Sequence, residues 1–549
     1  MSDYTPPVEE MLFLLFDVLG FTHEDLDRET VQAALEEAAK LASGELAPLN
    51  ADGDKAGATL EGETVKTAPG FKEAYRHYCE GGWNAVPFDP EYGGQGLPWA
   101  LAFPVQEMWQ GANLSFGLCP LLNQGAVEAI STHGTAAQKE LYLPHLISGE
   151  WTGTMNLTES QAGSDLGLLR AKAERGKDGT YIITGQKIFI TYGEHDMAEN
   201  IIHLILARLP DAPEDVRGIS LFIVPKILED GTRNAVRCIG LEHKLGIHAS
   251  PTCTMEFDGA TGYLLGTENE GLKCMFTMMN NARLSVGLQG VALAERAYQH
   301  AASYAQERMQ GKSLANGERV VIGEHPDVKR MLLMMRAKIC AARALTYEAA
   351  MALDKAQAGD EAAQFEASLL TPLVKGWGTD LAVEVASTGI QVFGGMGFIE
   401  ETGAAQFYRD ARILPIYEGT NGIQALDLVF RKLVQDQGQA ARAYIEKMEA
   451  RVEGDEVCLA ALSALRQATD TLSSYIAEGR TEVAAFVASP YMTGFAQIAG
   501  GALLVSSARA AKENECGTLS AAYDELAVFY RAHLLPIAVA RLSALTHQI

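Results

Sequence analysis

The sequence predicts an α+β fold, mainly α, in which a small central β domain lies between helical domains. Three observations carry this prediction. Apolar residues recur at three- and four-residue spacing through the first 150 residues, as in "ETVQAALEEAAKLASGEL". From 151 to 268 the texture changes to short β-branched runs separated by turn signals such as "KDGT". Helical periodicity then returns for the rest of the chain, which at 549 residues is long enough for three or four domains, each burying its own core.

Taken in order, residues 1–150 form an N-terminal helical domain. Within it "MLFLLFDVLG" is a packed helix, too short to span a bilayer and following "VEE" where a secretory signal carries positive charge. The polar stretch "NADGDKAGATLEGETVKTAPG" reads as a loop. Residues 151–268 form the β domain, mainly antiparallel, with strands in "TYIITGQKIFIT", "NIIHLILARL", "GISLFIVP" and "CTMEFDGATGYLLG". Residues 269–438 are long Ala/Leu-rich helices broken at "GKSLANGE" and "FGGMGFIEETG", the pattern of a four-helix bundle. Residues 439–549, after "QDQGQ", form an appended helical domain. Strands and helices do not alternate and no G-x-G-x-x-G follows a strand, which argues against a doubly wound nucleotide fold. A nucleotide cofactor would need another holding device.

The composition narrows the functional classes. With 48% hydrophobic and 21% charged residues the chain is an ordinary globular protein, and no apolar run approaches the roughly 20 residues that span a bilayer. The formal net charge of −26 repels nucleic acid and anionic membranes, so no nucleic-acid partner and no membrane insertion is expected. The 8 cysteines are scattered, without a C-x-x-C pair or a His cluster at metal spacing. A reduced, cytoplasmic, metal-free protein is the simplest expectation.

Six stretches carry candidate chemistry. In "MNLTESQAGSDLG", Thr158, Gly163 and Ser164 offer hydroxyls and bare backbone to a phosphate or flavin ring, although a polar turn has the same composition. In "GQKIFITYG", Phe189 and Thr191 alternate onto one strand face, which suits a flat ring or simple core packing. Arg283 in "NNARLSVG" stands at an apolar helix start, where it meets a phosphate, a carboxylate or a surface partner. Arg308 in "YAQERMQGK" sits in a last helical turn, where the helix dipole alone favours a cation. "QVFGGMGFIEETG" is a glycine cluster for close ligand approach or for a helix break. In "LPIYEGTNGIQ", Glu418 lies between apolar residues and Gly419, and Thr420 or Asn421 can cap the next helix. A carboxylate in such surroundings is paired, protonated, or kept as a base shielded from water.

In this order and spacing, "TESQAGSD", "ITGQKIFIT", "GIHASPTC", "ER" before "GK", "QVFGGMGF" and "RDARILPIYEGTNGIQ" resemble the acyl-CoA dehydrogenase family over roughly residues 80–430. These are flavoproteins that oxidise acyl-CoA thioesters to trans-2-enoyl-CoA. Departures are Ser160 and Gln161 where the family often has Pro-Gly, and Phe189 where it often has Trp. The resemblance implies Glu418 as catalytic base. It implies Met155, Leu157, Thr158, Gly163 and Ser164 along FAD, Phe189 and Thr191 flanking the isoalloxazine, and Gly419 and Thr420 touching the cofactor. Ser164, Arg283 and Tyr417 would contact the acyl-CoA. Arg308, Gln391 and Gly395 would hold the FAD of a neighbouring subunit, which makes the protein a homodimer or homotetramer.

The resemblance also implies an electron-transfer flavoprotein as electron acceptor. The opening segment and the appended helices resemble a long bacterial subtype, which points to 3-methylmercaptopropionyl-CoA, a substrate of dimethylsulfoniopropionate degradation. The alternatives are a short- or medium-chain fatty acyl-CoA, an oxidase passing electrons to O2, and a catalytically silent flavin- or CoA-binding scaffold. For the chemistry, burial has to raise the pKa of Glu418 against the opposing field of the helix N-terminus that follows it.

Overall fold

A computed structural model of the chain describes residues 4–543 and 545. It contains two compact units: Gly44–Leu97 with Asn113–Ala282, and Met1–Ser43 with Pro98–Ala112 and Arg283–Ile549. The first holds the main sheet, the second a helical assembly.

In the sheet unit a hairpin, β1 (Thr59–Glu61) and β2 (Thr64–Lys66), follows the helix Pro48–Ala56. The expected loop over 50–70 therefore contains regular structure; Gly62, at φ 67°, makes the hairpin turn that composition alone read as irregular. The main sheet comprises β3 (Trp151–Asn156), β4 (Lys172–Arg175), β5 (Tyr181–Thr191), β6 (Asn200–Arg208), β7 (Ile219–Pro225), β8 (Val236–Leu241) and β9 (Thr252–Leu265). Its order is β3-β6-β4-β5-β9-β7, with β8 on β9 and β7 returning to pair β6, so five strands close into a ring. Pairings are antiparallel except that β3 and β4 run parallel to β6. β6 and β7 are buried on both faces, which explains their unbroken apolar runs. Ile205, Phe222 and Val224 face Ile183 and Phe257 inside the ring. Ile202, Leu204, Leu221 and Ile223 face outward onto Val127, Ile130, Leu143 and Leu146 of the helices Leu114–His133 and Ala136–Ser148. Each such side chain contributes about 1.5–3 kcal/mol by leaving water.

The helical unit is built on Pro326–Gln357, Glu361–Phe393 and the part of Gly271–Glu307 from Arg283 onward. Two glycines fix one crossing: a Cβ on Gly290 would lie 2.1 Å from the Gly378 carbonyl oxygen, and one on Gly287 2.5 Å from Val374. Backbone thus meets backbone between Gly271–Glu307 and Glu361–Phe393, which brings side chains of both helices to one turn. The helix Thr481–Glu513 packs on the same bundle, Gly500 against Trp377 and Met492 against Gly376. Arg343, fully buried, binds three carboxylates: Glu10 at 2.6 Å, Glu107 at 2.7 Å and Glu295 at 2.8 Å. Met11, Leu12, Phe13, Leu14 and Leu15 of the N-terminal segment are buried, as expected of a packed helix. Glu361–Phe398 and Gly517–Ser543 are long and apolar enough to cross a membrane by length and composition. In the first, Leu370, Leu373 and Leu381 lie in the protein core beside the buried charge of Lys375.

Candidate active site

Each unit carries part of the candidate set. In the helical unit, Glu418 sits on a turn between the helices Ala404–Ala411 and Asn421–Asp427. The turn is closed by Tyr417 N–H donating to Ile413 O (3.2 Å) and Asn421 N–H to Pro415 O (3.1 Å). Glu418 itself is left-handed, φ 53°, a conformation that costs a non-glycine residue about 1–2 kcal/mol. Gly419 follows at φ 81°, where a Cβ would also come 2.8 Å from Gln424 Nε2, so glycine is required. Thr420 caps the next helix, its side chain accepting from Ile423 N–H at 3.3 Å. Asn421 is taken up by the neighbouring helix instead. Such stored strain is characteristic of functional positions.

The Glu418 carboxylate is half-buried, and among the described residues none donates a hydrogen bond to it. Burial raises its pKa to about 7 from the ordinary 4.5, while Arg283 and Lys375 pull the other way. Among the described residues its backbone N–H also has no acceptor. Arg283 is 4% exposed and lies 3.7 Å from Asp427, which also pairs Arg431 at 2.9 Å. It stands inside the helix Gly271–Glu307 rather than at a helix start as the sequence suggested; "MFTMMNN" before it is continuous helix, and short polar residues there do not break it. Tyr417, half-buried, donates its hydroxyl to Gln289 Oε1.

In the sheet unit the 157–171 loop is pinned by one buried ion pair. Lys187 Nζ donates to Glu159 Oε1 at 2.8 Å and to Leu157 O at 2.9 Å; Glu159 also accepts from the N–H groups of Arg170 (2.7 Å) and Ala171 (3.0 Å). Burial works to raise the Glu159 carboxyl, but Lys187 and the two N–H groups outweigh it and hold it low. Ile188 N–H donates to Thr158 O at 2.9 Å, so the loop lies against β5. Gly163 and Ser164 are exposed on it, and a Cβ on Gly163 would meet nothing within 4 Å. Met155 is half-buried and Leu157 is buried in the core cluster.

Phe189 and Thr191 do not share a face by simple alternation. The register of β5 on β9 shifts between Lys187 and Ile190, and Phe189 takes φ 59°, so a bulge rather than the pleat turns its ring outward. The ring is 58% exposed. Thr191, half-buried, pairs with Thr252 across the sheet, and its hydroxyl has no protein partner among the described residues.

Arg308, Gln391 and Gly395 are not brought to Glu418. Arg308 lies 25 residues beyond Arg283 along the helix direction, about 37 Å at 1.5 Å per residue. All three are exposed, and Tyr304 stacked on Phe393 (4.1 Å between ring centroids) joins the two helix ends that carry them.

Sequence reasoning missed Lys375, Gln289 and Asp427, and offered Asn421 only as an alternative helix cap, a role that Thr420 takes. The available signal for the first was a lysine inside the largely apolar helix "TPLVKGWGTDLA", where the other charge is Asp380. Lys187 and Glu159 lay inside the quoted motifs without being singled out.

An exposed aromatic ring, an unpartnered strand hydroxyl and an open glycine loop in the sheet unit fit a flat redox cofactor, and the helical unit presents a carboxylate with a pKa near neutrality. Both sets of features fit a flavin-dependent oxidoreductase. Family models for the acyl-CoA dehydrogenase N-terminal, middle and C-terminal domains match residues 28–150, 154–260 and 269–433. A 3-methylmercaptopropionyl-CoA dehydrogenase of Ruegeria pomeroyi is 50% identical over 500 residues, 88% of this chain and 84% of its own. The broad-specificity linear acyl-CoA dehydrogenase FadE5 of Mycobacterium tuberculosis is 35% identical over 471 residues, 80% of this chain and 77% of its own. The chain belongs to the acyl-CoA dehydrogenase family. Its fold is also that of Caenorhabditis elegans ACDH-11, solved in complex with C11-CoA, at a TM-score of 0.82 and 22% identity over 97% of this chain and 93% of that one.

Proposed function

We propose that the chain oxidises an acyl-CoA thioester to its trans-2-enoyl-CoA, with 3-methylmercaptopropionyl-CoA as substrate. The observation that carries this is Glu418, a half-buried carboxylate on a left-handed backbone, raised by burial to a pKa of about 7 against the pull of Arg283 and Lys375. Glu418 removes the α-proton of the thioester. Its own N–H, without an internal acceptor, donates to the thioester oxygen as negative charge develops there; one such donor is typically worth about 3 kcal/mol. FAD held by this chain would supply the two-electron acceptor for the β-hydrogen, which leaves as a hydride.

In the sheet unit Phe189 and Thr191 flank the flavin ring, with Met155, Leu157, Thr158, Gly163 and Ser164 along it, and Ser164 also meets the CoA. In the helical unit Gly419 and Thr420 contact the cofactor, while Arg283 and Tyr417 line the acyl-CoA cleft. Arg308, Gln391 and Gly395, exposed and far from Glu418 along their helices, serve the FAD of a second copy in a homodimer or homotetramer. An electron-transfer flavoprotein takes the electrons onward. A cytoplasmic location accords with 8 free cysteines. The substrate proposal is supported by the 50% identity to the Ruegeria pomeroyi enzyme.

The test is anaerobic bleaching of the flavin by a panel of acyl-CoAs. 3-Methylmercaptopropionyl-CoA is expected to bleach fastest. Faster bleaching by butyryl- or octanoyl-CoA overturns the substrate assignment, and bleaching by none of them overturns the enzyme assignment. Stoichiometric peroxide at each turnover in air makes the protein an oxidase.

A further inference from the structure

Lys375 is 0% exposed in the interior of the helix Glu361–Phe393, among Leu373, Val374 and Trp377. A buried ammonium is costly unless a carboxylate pairs it. Lys375 has no carboxylate at ion-pair distance among the described residues; its Nζ donates to an amide oxygen, Asn421 Oδ1, at 2.9 Å. Asn421 belongs to the turn that carries Glu418. Its N–H closes that turn on Pro415 O (3.1 Å), and its Nδ2 donates to Gly376 O (3.1 Å), Thr379 Oγ1 (3.1 Å) and Asp380 Oδ1 (2.8 Å). The glycine crossing at Gly287, Gly290 and Gly378 holds this helix against the one bearing Arg283.

We propose that Lys375 is a positioning residue for the reaction: through Asn421 it fixes the turn of the base, and beside Arg283 it supplies a counter-charge that favours the ionised form of Glu418 in apolar surroundings. This rests on Glu418 being the base.

The charged groups facing Glu418 are few. Arg283 from Gly271–Glu307 and Lys375 from Glu361–Phe393 act on Glu418 itself, and the Tyr417 hydroxyl neighbours it; Asp427 and Arg431 act on Arg283, and Asp380 acts on Lys375. Arg283 and Arg431 share Asp427. Arg283 acts on Glu418 more strongly but divides its charge with Asp427; Lys375 divides its own between Glu418 and Asp380, and Asp380 already accepts from Asn421. Burial lowers the Lys375 pKa to about 7 even with those two carboxyl groups pulling it up, which is the price of holding a cation there without a direct partner.

The experiment compares holoenzyme as wild type, Lys375→Met, Lys375→Gln and Lys375→Arg, reading kcat/KM against pH, FAD content and Tm. Removing a cation raises the pKa of a neighbouring carboxyl, so Lys375→Met is expected to move the acid limb up by about one unit. The shift alone makes the variant about fivefold slower at pH 7, and the loss of the bond to Asn421 Oδ1 lowers the plateau above the limb as well. Lys375→Arg keeps the limb in place. If Lys375→Met fails to fold, Lys375→Gln retains a donor for Asn421 Oδ1 and removes only the charge, with the same expected shift. A uniform loss of rate at every pH with the limb unmoved, in whichever of the two neutral variants folds, overturns the proposal and leaves Lys375 a structural residue. Normal flavin bleaching by Glu418→Gln would instead remove Glu418 from the base role, an outcome distinct from an unmoved limb.

Discussion

Replacing Glu418 by Gln removes one ionisable proton and almost no volume, so it isolates the charge. The carboxyl is raised from 4.5 to about 7, a difference of about 2.5 units, and at 1.36 kcal/mol per unit this is about 3 kcal/mol as an upper bound for a half-buried group. Between those two values the folded protein binds more protons than the unfolded chain, so stability falls as pH rises through the window and the full cost is present at pH 8. Glu418→Gln behaves as the permanently protonated form. It is expected to equal wild type in stability near pH 4.5, to exceed it at pH 8, and to be inactive throughout. In the wild type the active species is the ionised base, which at pH 5 is about 1% of the total for a pKa of 7 against about 75% for 4.5. Wild-type kcat/KM at pH 5 should therefore be about one-hundredth of its plateau. Thermal unfolding of both proteins at pH 5 and 8, with a pH–rate profile of the wild type, measures all three quantities. A profile flat down to pH 5, together with identical Tm values at pH 8, refutes the argument that burial sets the strength of this base.

Three further outcomes follow from the geometry. Gly290→Ala drives a methyl to within 2.1 Å of the Gly378 carbonyl oxygen, so the helices must part; a loss of about 1–3 kcal/mol in denaturant melts and a fall in kcat are expected, and an unchanged midpoint contradicts it. Lys187→Met strands the Glu159 carboxylate in the loop that carries Thr158, Gly163 and Ser164, a buried-pair break worth about 3–5 kcal/mol, and should appear as lost FAD retention on gel filtration. Phe189→Ala changes a residue that is 58% exposed, so the unfolding free energy without cofactor should stay within about 0.5 kcal/mol of wild type. FAD affinity in the same variant should drop about 2- to 10-fold by fluorescence titration, as expected for a stacking contact worth 0.5–1.5 kcal/mol.

The texture of each segment was legible because periodicity is local. β6 and β7 announced themselves as unbroken apolar runs, and the long helices by their spacing. What was misread turned on short-range exceptions. The β1–β2 hairpin is too short for alternation to show, the helix before Arg283 has polar residues that tolerate helix, and the bulge at Phe189 breaks the two-residue period on which a same-face argument depends. β3, β4 and β8 went unseen because Trp151–Asn156 is rich in polar Thr and Asn, and the other two strands are short.

Sequence alone determined the family, the order of helical and sheet segments, and the identity of Glu418 as the carboxylate to watch, since these depend on residue types at fixed spacing along one chain. Tertiary structure decided what that carboxylate is chemically. Its pKa near 7 arises from desolvation by side chains around it, offset in part by Arg283 and Lys375, 135 and 43 residues earlier in the chain. Those cations reach it because glycine backbones touch at Gly290 and Gly378, a contact between helices that no local pattern encodes.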